Sequence, residues 1–97
     1  VISACQEKNV PVIGYGDDLN SLAPKQVVST VQWNTGITFG AVLDKIKNGT
    51  FKTEVYSGLL SDESITLADY HGLLDKKTQD LVETVKKGII DGSIKTK

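Results

Sequence analysis

Asp17 and Asp18 stand side by side where an apolar run, "VPVIGYG", gives way to "DDLN". Two adjacent carboxylates after a glycine-rich strand end suggest dinucleotide binding, calcium binding, acid–base work or capture of a small polar ligand. A dinucleotide loop needs a third glycine three residues after the second and an immediate helix start. Leu19 occupies that place and Pro24 lies ahead, so the fingerprint fails. A calcium loop needs oxygen ligands at alternate positions and a glycine at the sixth. Counted from Asp18, Asn20 fits, but Leu22 does not and the glycine is absent. Neighbouring residues on a strand point to opposite faces, so a carboxylate pair for acid–base chemistry would need a second acid from elsewhere.

Nucleophilic sets fare no better. His71 is the single histidine, and Ser57 lacks the glycine two residues before it that a nucleophile elbow requires. Cys5 reads as a small hydrophobe within a helix, and His71 beside Gly72 reads as an exposed turn. Asn48-Gly49-Thr50 spells a glycosylation sequon but falls at a helix end. No catalytic residue, metal site or cofactor is therefore expected, and the chain is not expected to be an enzyme.

A binding geometry remains. In open α/β sheets, ligands lie outside the carboxyl ends of the strands. Asp17 and Asp18 follow one expected strand, and Trp33 and Asn34 follow the next. The carboxylates accept hydrogen bonds from ligand donors, the indole stacks, and the amide does either job. Two rival readings stand beside it. Asp-Asp-Leu-Asn is good turn chemistry, and a lone tryptophan in a small domain often belongs to the core.

The elements that must position these groups follow from hydrophobic period. Residues 1–9 read as the tail of a helix ended by Asn9. Residues 10–16 read as a strand, with Pro11 at its start. The unbroken apolar run from Val10 to Ile13 predicts burial on both faces, and so a parallel sheet flanked by helices. Residues 26–33 are a second strand, rich in β-branched side chains. Phe39, Val42, Leu43 and Ile46 predict a helix over 35–48 with that face toward the sheet. Asn34 or Thr35 is expected to cap it and Gly49 to end it, while Gly36 and Gly40 suit close packing. Short strands are expected at 53–60 and 64–67. A last helix over 74–90 has Asp75 as its cap, a stripe of Leu81, Val82, Val85 and Ile89, Lys86 and Lys87 near its negative end, and Gly92 as its stop.

Composition narrows the class. The 97 residues suit one small α/β unit, with 39% hydrophobic and 24% charged residues. A formal charge of -1 and no Lys/Arg block argue against a nucleic-acid surface. No apolar run approaches a membrane span, and one cysteine excludes an internal disulfide. The chain holds no methionine and opens with Val1, so a fragment of a longer protein is expected. "VISAC" also has the spelling of a bacterial lipobox, beside its plainer reading as a helix with Ile2 and Cys5 on one face.

Taken together, "VPVIGYGDD", "VVSTVQWNTG", "AVLDKIKNGTFKTEVYSGL" and "IIDGSIK" resemble the C-terminal third of basic membrane protein (BMP) family proteins. These are substrate-binding lipoproteins of bacterial ABC transporters with a type I periplasmic-binding-protein fold. The resemblance implies parallel-sheet lobe segments with flanking helices. About 1–33 would end one lobe, and about 34–97 would form a hinge crossing and elements returning to the other. It further implies capture of a purine nucleoside or base for import, with a transporter permease and the remainder of the parent protein as partners. The location would be extracytoplasmic, with membrane attachment only through a lipid anchor outside this chain. Family members typically read Gly-Val-Asp-Ser-Asp after the first strand, so Gly16 stands at the first acid and Asp18 at the second. Trp33 takes the place of a lysine that many members carry, in a Trp-Asn-Thr-Gly run close to the Trp-Asn-Trp-Gly of another branch. Asp17, Asp18, Trp33 and Asn34 are thus the expected ligand contacts. Two other classes share the pattern: a ligand-sensing domain of a transcriptional regulator with this fold, and a ligand-free α/β interaction domain.

Overall fold

The computed structural model describes residues 1–96. Helix α1 (Ile2–Lys8) leads into strand β1 (Val12–Gly16), and a short 3₁₀ turn at Asn20–Leu22 precedes β2 (Val27–Trp33). Helix α2 (Thr35–Lys47), strand β3 (Ile65–Leu67) and helix α3 (Lys76–Asp91) complete the order. The sheet runs β1-β2-β3. The chain divides into two compact units: Val1–Gln32 with the chain from Leu67 onward, and Trp33–Thr66.

In the first unit, β1 and β2 are parallel, as the unbroken apolar runs predict. Val12 lies opposite Val27 and Ile13 opposite Ser29, so β2 carries one extra residue there. Around β3 the pairing changes direction. Ala68 N–H donates to Thr30 C=O in the first unit, and Asn34 N–H donates to Ser64 C=O in the second. As β2 advances its partners descend, which is antiparallel pairing. The fold is α/β with a mixed sheet, where parallel pairing alone was expected.

The core of the first unit is small and unusually polar. Ala23, Val27 and Ala68 are its buried apolar residues, beside buried Gln26, Ser29 and Thr30. Each polar group is satisfied, as burial demands. Ser29 Oγ donates to Ala68 C=O at 2.8 Å, Thr30 Oγ1 accepts Leu19 N–H at 3.2 Å, and Gln26 donates to Asn9 Oδ1 at 2.9 Å. Gly14 faces Thr30 so closely that a Cβ there would meet Thr30 Oγ1 at 2.5 Å.

Local chemistry explains the helix ends. Asn9 takes the left-handed conformation that Asn tolerates (φ 53°) and closes α1. Asp75 caps α3: Oδ1 accepts Thr78 N–H at 2.9 Å and Oδ2 accepts its hydroxyl at 2.8 Å. Gly92 ends that helix at φ 81°. Asn34 precedes α2, but its side chain makes no capping bond.

Burial departs from the periodic pattern. Ile13 is 58% exposed, so β1 is not covered on both faces. Phe39, Leu43 and Ile46 on α2 are 68%, 55% and 53% exposed, and Leu81 on α3 is 61% exposed. Among the described residues, nothing lies within 4 Å of the Cβ positions of Gly36 and Gly40, so no close packing there uses them. Within the second unit the reason is visible: residues 53–60 form a loop rather than the expected strand. Tyr56 OH donates back to Lys52 C=O at 2.8 Å, its ring stacks on Phe51, and Asp62 Oδ1 accepts the Leu59 and Ser64 N–H groups. A loop folded on itself offers α2 no sheet to pack against.

Two predictions follow from this packing. Gly14→Ala forces its Cβ into a fully buried Thr30, and overpacking of this kind costs about 1–3 kcal/mol, readable by urea denaturation. The second concerns acid. Hydrogen bonds from the Thr78 N–H and hydroxyl hold the Asp75 carboxyl below its ordinary 3.8. The Ser64 side chain and N–H lower Asp62, and those of Ser93 lower Asp91. A lowered folded value gives stability that is present above 3.8 and lost as pH falls through the folded value. The thermal midpoint is expected to fall below that pH, and Asp75→Asn, which keeps an acceptor for capping, should flatten part of the fall.

Candidate functional site

The four expected contact residues fall in different units: Asp17 and Asp18 in the first, Trp33 and Asn34 in the second. Each pair has its own local construction.

In the first unit the chain leaves β1 through Gly16 at φ 106°, a conformation that favours glycine. Asp17 is exposed in the bend that follows. Asp18 is engaged on both oxygens: Oδ1 accepts Asn20 N–H at 3.0 Å, and Oδ2 lies 3.0 Å from His71 Nε2. The first bond is an Asx turn, the local chemistry that Asp-Asp-Leu-Asn offers. The second ties the loop after β1 to a turn 53 residues later in sequence. That turn is itself constrained. His71 sits at φ 50° and Gly72 at φ 72°, and His71 N–H donates to Asp69 Oδ1. Asn20 completes the loop, donating from Nδ2 to Val27 C=O at 3.0 Å. Asp18 therefore shapes a loop. Among the described residues no group of three or more His, Cys, Asp or Glu is placed to hold a metal ion.

In the second unit, Trp33 ends β2 and is 50% exposed. It lines a pocket of about 210 Å³ with Thr35, Thr38, Gly58, Ser64 and Ile65. Thr38 Oγ1 donates to Ser64 Oγ at 3.2 Å, placing two hydroxyls side by side on the wall. Gly58 makes this approach feasible, since a Cβ there would meet Ser64 Cβ at 2.5 Å and Thr38 Oγ1 at 3.2 Å. Among the described residues, no charged side chain lines the pocket. Asn34 buttresses it: Nδ2 donates to Glu63 C=O at 2.7 Å, with Thr66 Oγ1 at 3.4 Å. Glu63 adopts φ 61°, so this amide bond helps hold a strained turn.

His71, Thr38, Gly58 and Ser64 were missed by sequence reasoning. The Asp-x-His-Gly spelling at 69–72 marks a turn but not its partner. Nothing local ties Gly58 to Thr38, twenty residues before it.

Among solved structures, the fold is followed by the crystal structure of a transcriptional activator of the comK gene from Bacillus halodurans. The match covers 100% of this chain and 34% of that one, with a TM-score of 0.83 and 13% sequence identity. At that identity the likeness is one of fold. This chain spans about a third of the length of that solved chain. No family model matches the sequence, and no curated protein does. The resemblance to BMP family lipoproteins is corrected by these findings: no sequence comparison supports it, and a solved chain that matches the fold over the whole of this chain is a transcriptional activator. Solute capture for an ABC transporter loses its basis with it.

Asp18→Ala is expected to release both its Asx turn and the His71 contact. Amide exchange should accelerate at residues 17–20 and 69–72 while the β2 amides keep their rates, a comparison that hydrogen-exchange NMR makes directly.

Proposed function

We propose that these residues form part of the ligand-sensing module of a transcriptional regulator, in a type I periplasmic-binding-protein layout. The observation carrying this reading is the fold likeness to a transcriptional activator over the whole of this chain. The α/β order, with polar loops at the ends of β1 and β2, suits such a module, whose role is binding rather than chemistry.

The Trp33 pocket is the ligand site in this reading. Its lining is an indole, hydroxyls and an aliphatic side chain, without formal charge. Unpaired charge is costly to bury, so the wall suits a small uncharged solute that stacks on Trp33 and exchanges hydrogen bonds with Thr38 and Ser64. Asn34 acts by positioning the 63–66 turn. Asp18 and His71 give the loop beyond β1 its shape. A ligand-free interaction domain is the second reading, favoured by the exposed Phe39–Leu43–Ile46 stripe of α2.

Trp33 is the single tryptophan of the chain, so its emission reports on the pocket without background. Titration with a panel of uncharged metabolites should give a saturable emission change for at least one. Thr38→Val should then weaken binding about tenfold, the loss of roughly one hydrogen bond. The same compound should alter promoter binding by the intact regulator. A panel that leaves both emission and thermal midpoint unchanged would sink the ligand reading and favour the interaction domain.

A further inference from the structure

The two hydroxyls on the wall of the Trp33 pocket belong to a relay whose direction is fixed by a carboxylate outside the lining. Asp62 shares a turn with Ser64. Its Oδ1 accepts Leu59 N–H at 3.0 Å and Ser64 N–H at 2.9 Å. The Ser64 side chain bonds the same carboxyl, and with the Ser64 and Leu59 N–H groups it holds that group below its ordinary 3.8. An ionised carboxylate accepts hydrogen bonds and donates none. The Ser64 hydroxyl has one proton, so it gives that proton to Asp62 and meets Thr38 only as an acceptor. Thr38 Oγ1 accordingly donates to Ser64 Oγ at 3.2 Å, and its one proton is used as well. The relay runs from Thr38 to Ser64 to Asp62, and all three residues lie in the second unit.

We infer that the Trp33 pocket selects a solute bearing a neutral N–H or O–H group, which Thr38 Oγ1 receives as an acceptor. This rests on the ligand reading of that pocket and sharpens it, because the wall then tells donors from acceptors. Thr38 keeps its lone pairs but has no proton left to give. A carbonyl or ether oxygen set against it would place lone pairs against lone pairs, with a polar atom left unsatisfied. Ser64 is buried, so its hydroxyl has no ready alternative in water. The Thr35 hydroxyl also lines the pocket but stands outside the relay, so it can turn to donate or accept and does not discriminate. A volume of about 210 Å³ suits one small ring system beside the indole. A site whose polar groups demand one partner rejects the analogue lacking it, and here that demand is set by Asp62. Asp62 is thus a positioning residue, acting on specificity through two hydroxyls.

Benzimidazole and benzoxazole test it, being rings of one shape, uncharged at neutral pH, of which only the first carries an N–H. Their affinities are read from amide NMR shifts at residues 33–38 and 64–65 in the full-length protein. Benzimidazole is expected to bind about tenfold more tightly, the worth of roughly one hydrogen bond. Asp62→Asn gives a readout that a merely structural role would not move. Its side-chain oxygen still accepts the backbone N–H groups of the turn, while its amide can donate to Ser64. Ser64 can then donate to Thr38, and Thr38 into the pocket, so the preference should collapse or reverse. Equal affinity for the two rings overturns the inference, as does a preference that survives Asp62→Asn with the turn's amide shifts kept. A ligand-free measurement checks the relay itself: Ser64→Ala should raise the Asp62 carboxyl titration midpoint followed by NMR. An unchanged midpoint overturns the relay whatever binds. If the midpoint rises but neither ring shifts a pocket amide, the relay stands, and the ligand reading fails together with the inference built on it.

Discussion

Everything in the first unit hangs on one residue pair in β2, Ser29 and Thr30. Both are buried, and both use their polar groups to hold other parts of the chain. Thr30 Oγ1 accepts the Leu19 N–H from the loop after β1, and Thr30 C=O accepts Ala68 N–H from the segment after β3. Ser29 Oγ donates to the carbonyl of the same Ala68. A hydroxyl buried without such partners destabilises the fold, so these bonds specify where both segments must lie. The same Thr30 leaves room opposite it for glycine alone, which accounts for Gly14 in the middle of β1.

That constraint sets the geometry beyond the strands. With Leu19 anchored, Asp18 is held one residue away, where it closes an Asx turn on Asn20 and meets His71. With Ala68 anchored, Asp69 and His71 are brought to the same place. The Asp18 carboxylate is thus part of a clasp between two turns. The second unit repeats the economy: Asn34 ties the strained 63–66 turn to the end of β2, and the Thr38–Ser64 contact and Gly58 form the wall beside Trp33. In both units, the polar residues at strand ends first satisfy backbone groups that would otherwise lack partners.

Legibility followed the range of the interaction. Asp75 and Gly92 as the ends of α3, Asn9 as the end of α1, and β2 as a β-branched strand were all readable, because each depends on a few neighbouring residues. The apolar stripes of α2 and α3 were readable as stripes. Their burial was not, because burial depends on what faces them, and among the described residues Phe39, Leu43 and Leu81 remain exposed. The loop at 53–60 misled for a related reason. Its β-forming residues were outweighed by the Tyr56–Lys52 bond, the Phe51–Tyr56 stack and the Asp62 turn, each a contact chosen by three-dimensional closure. Family resemblance misled differently: it rested on short motifs, none of them diagnostic, and no sequence comparison supports it.

The amino-acid sequence by itself determined where the helices lie and how α1 and α3 end. Those outcomes rest on backbone conformation and on hydrogen bonds within a few residues, which residue type and spacing encode directly. The tertiary structure alone decided that Asp18 meets His71 and that Thr38, Gly58 and Ser64 form a pocket wall with Trp33. Each of these joins groups far apart in the chain, and their meeting depends on how the buried hydroxyls of β2 and the turns around them are satisfied together.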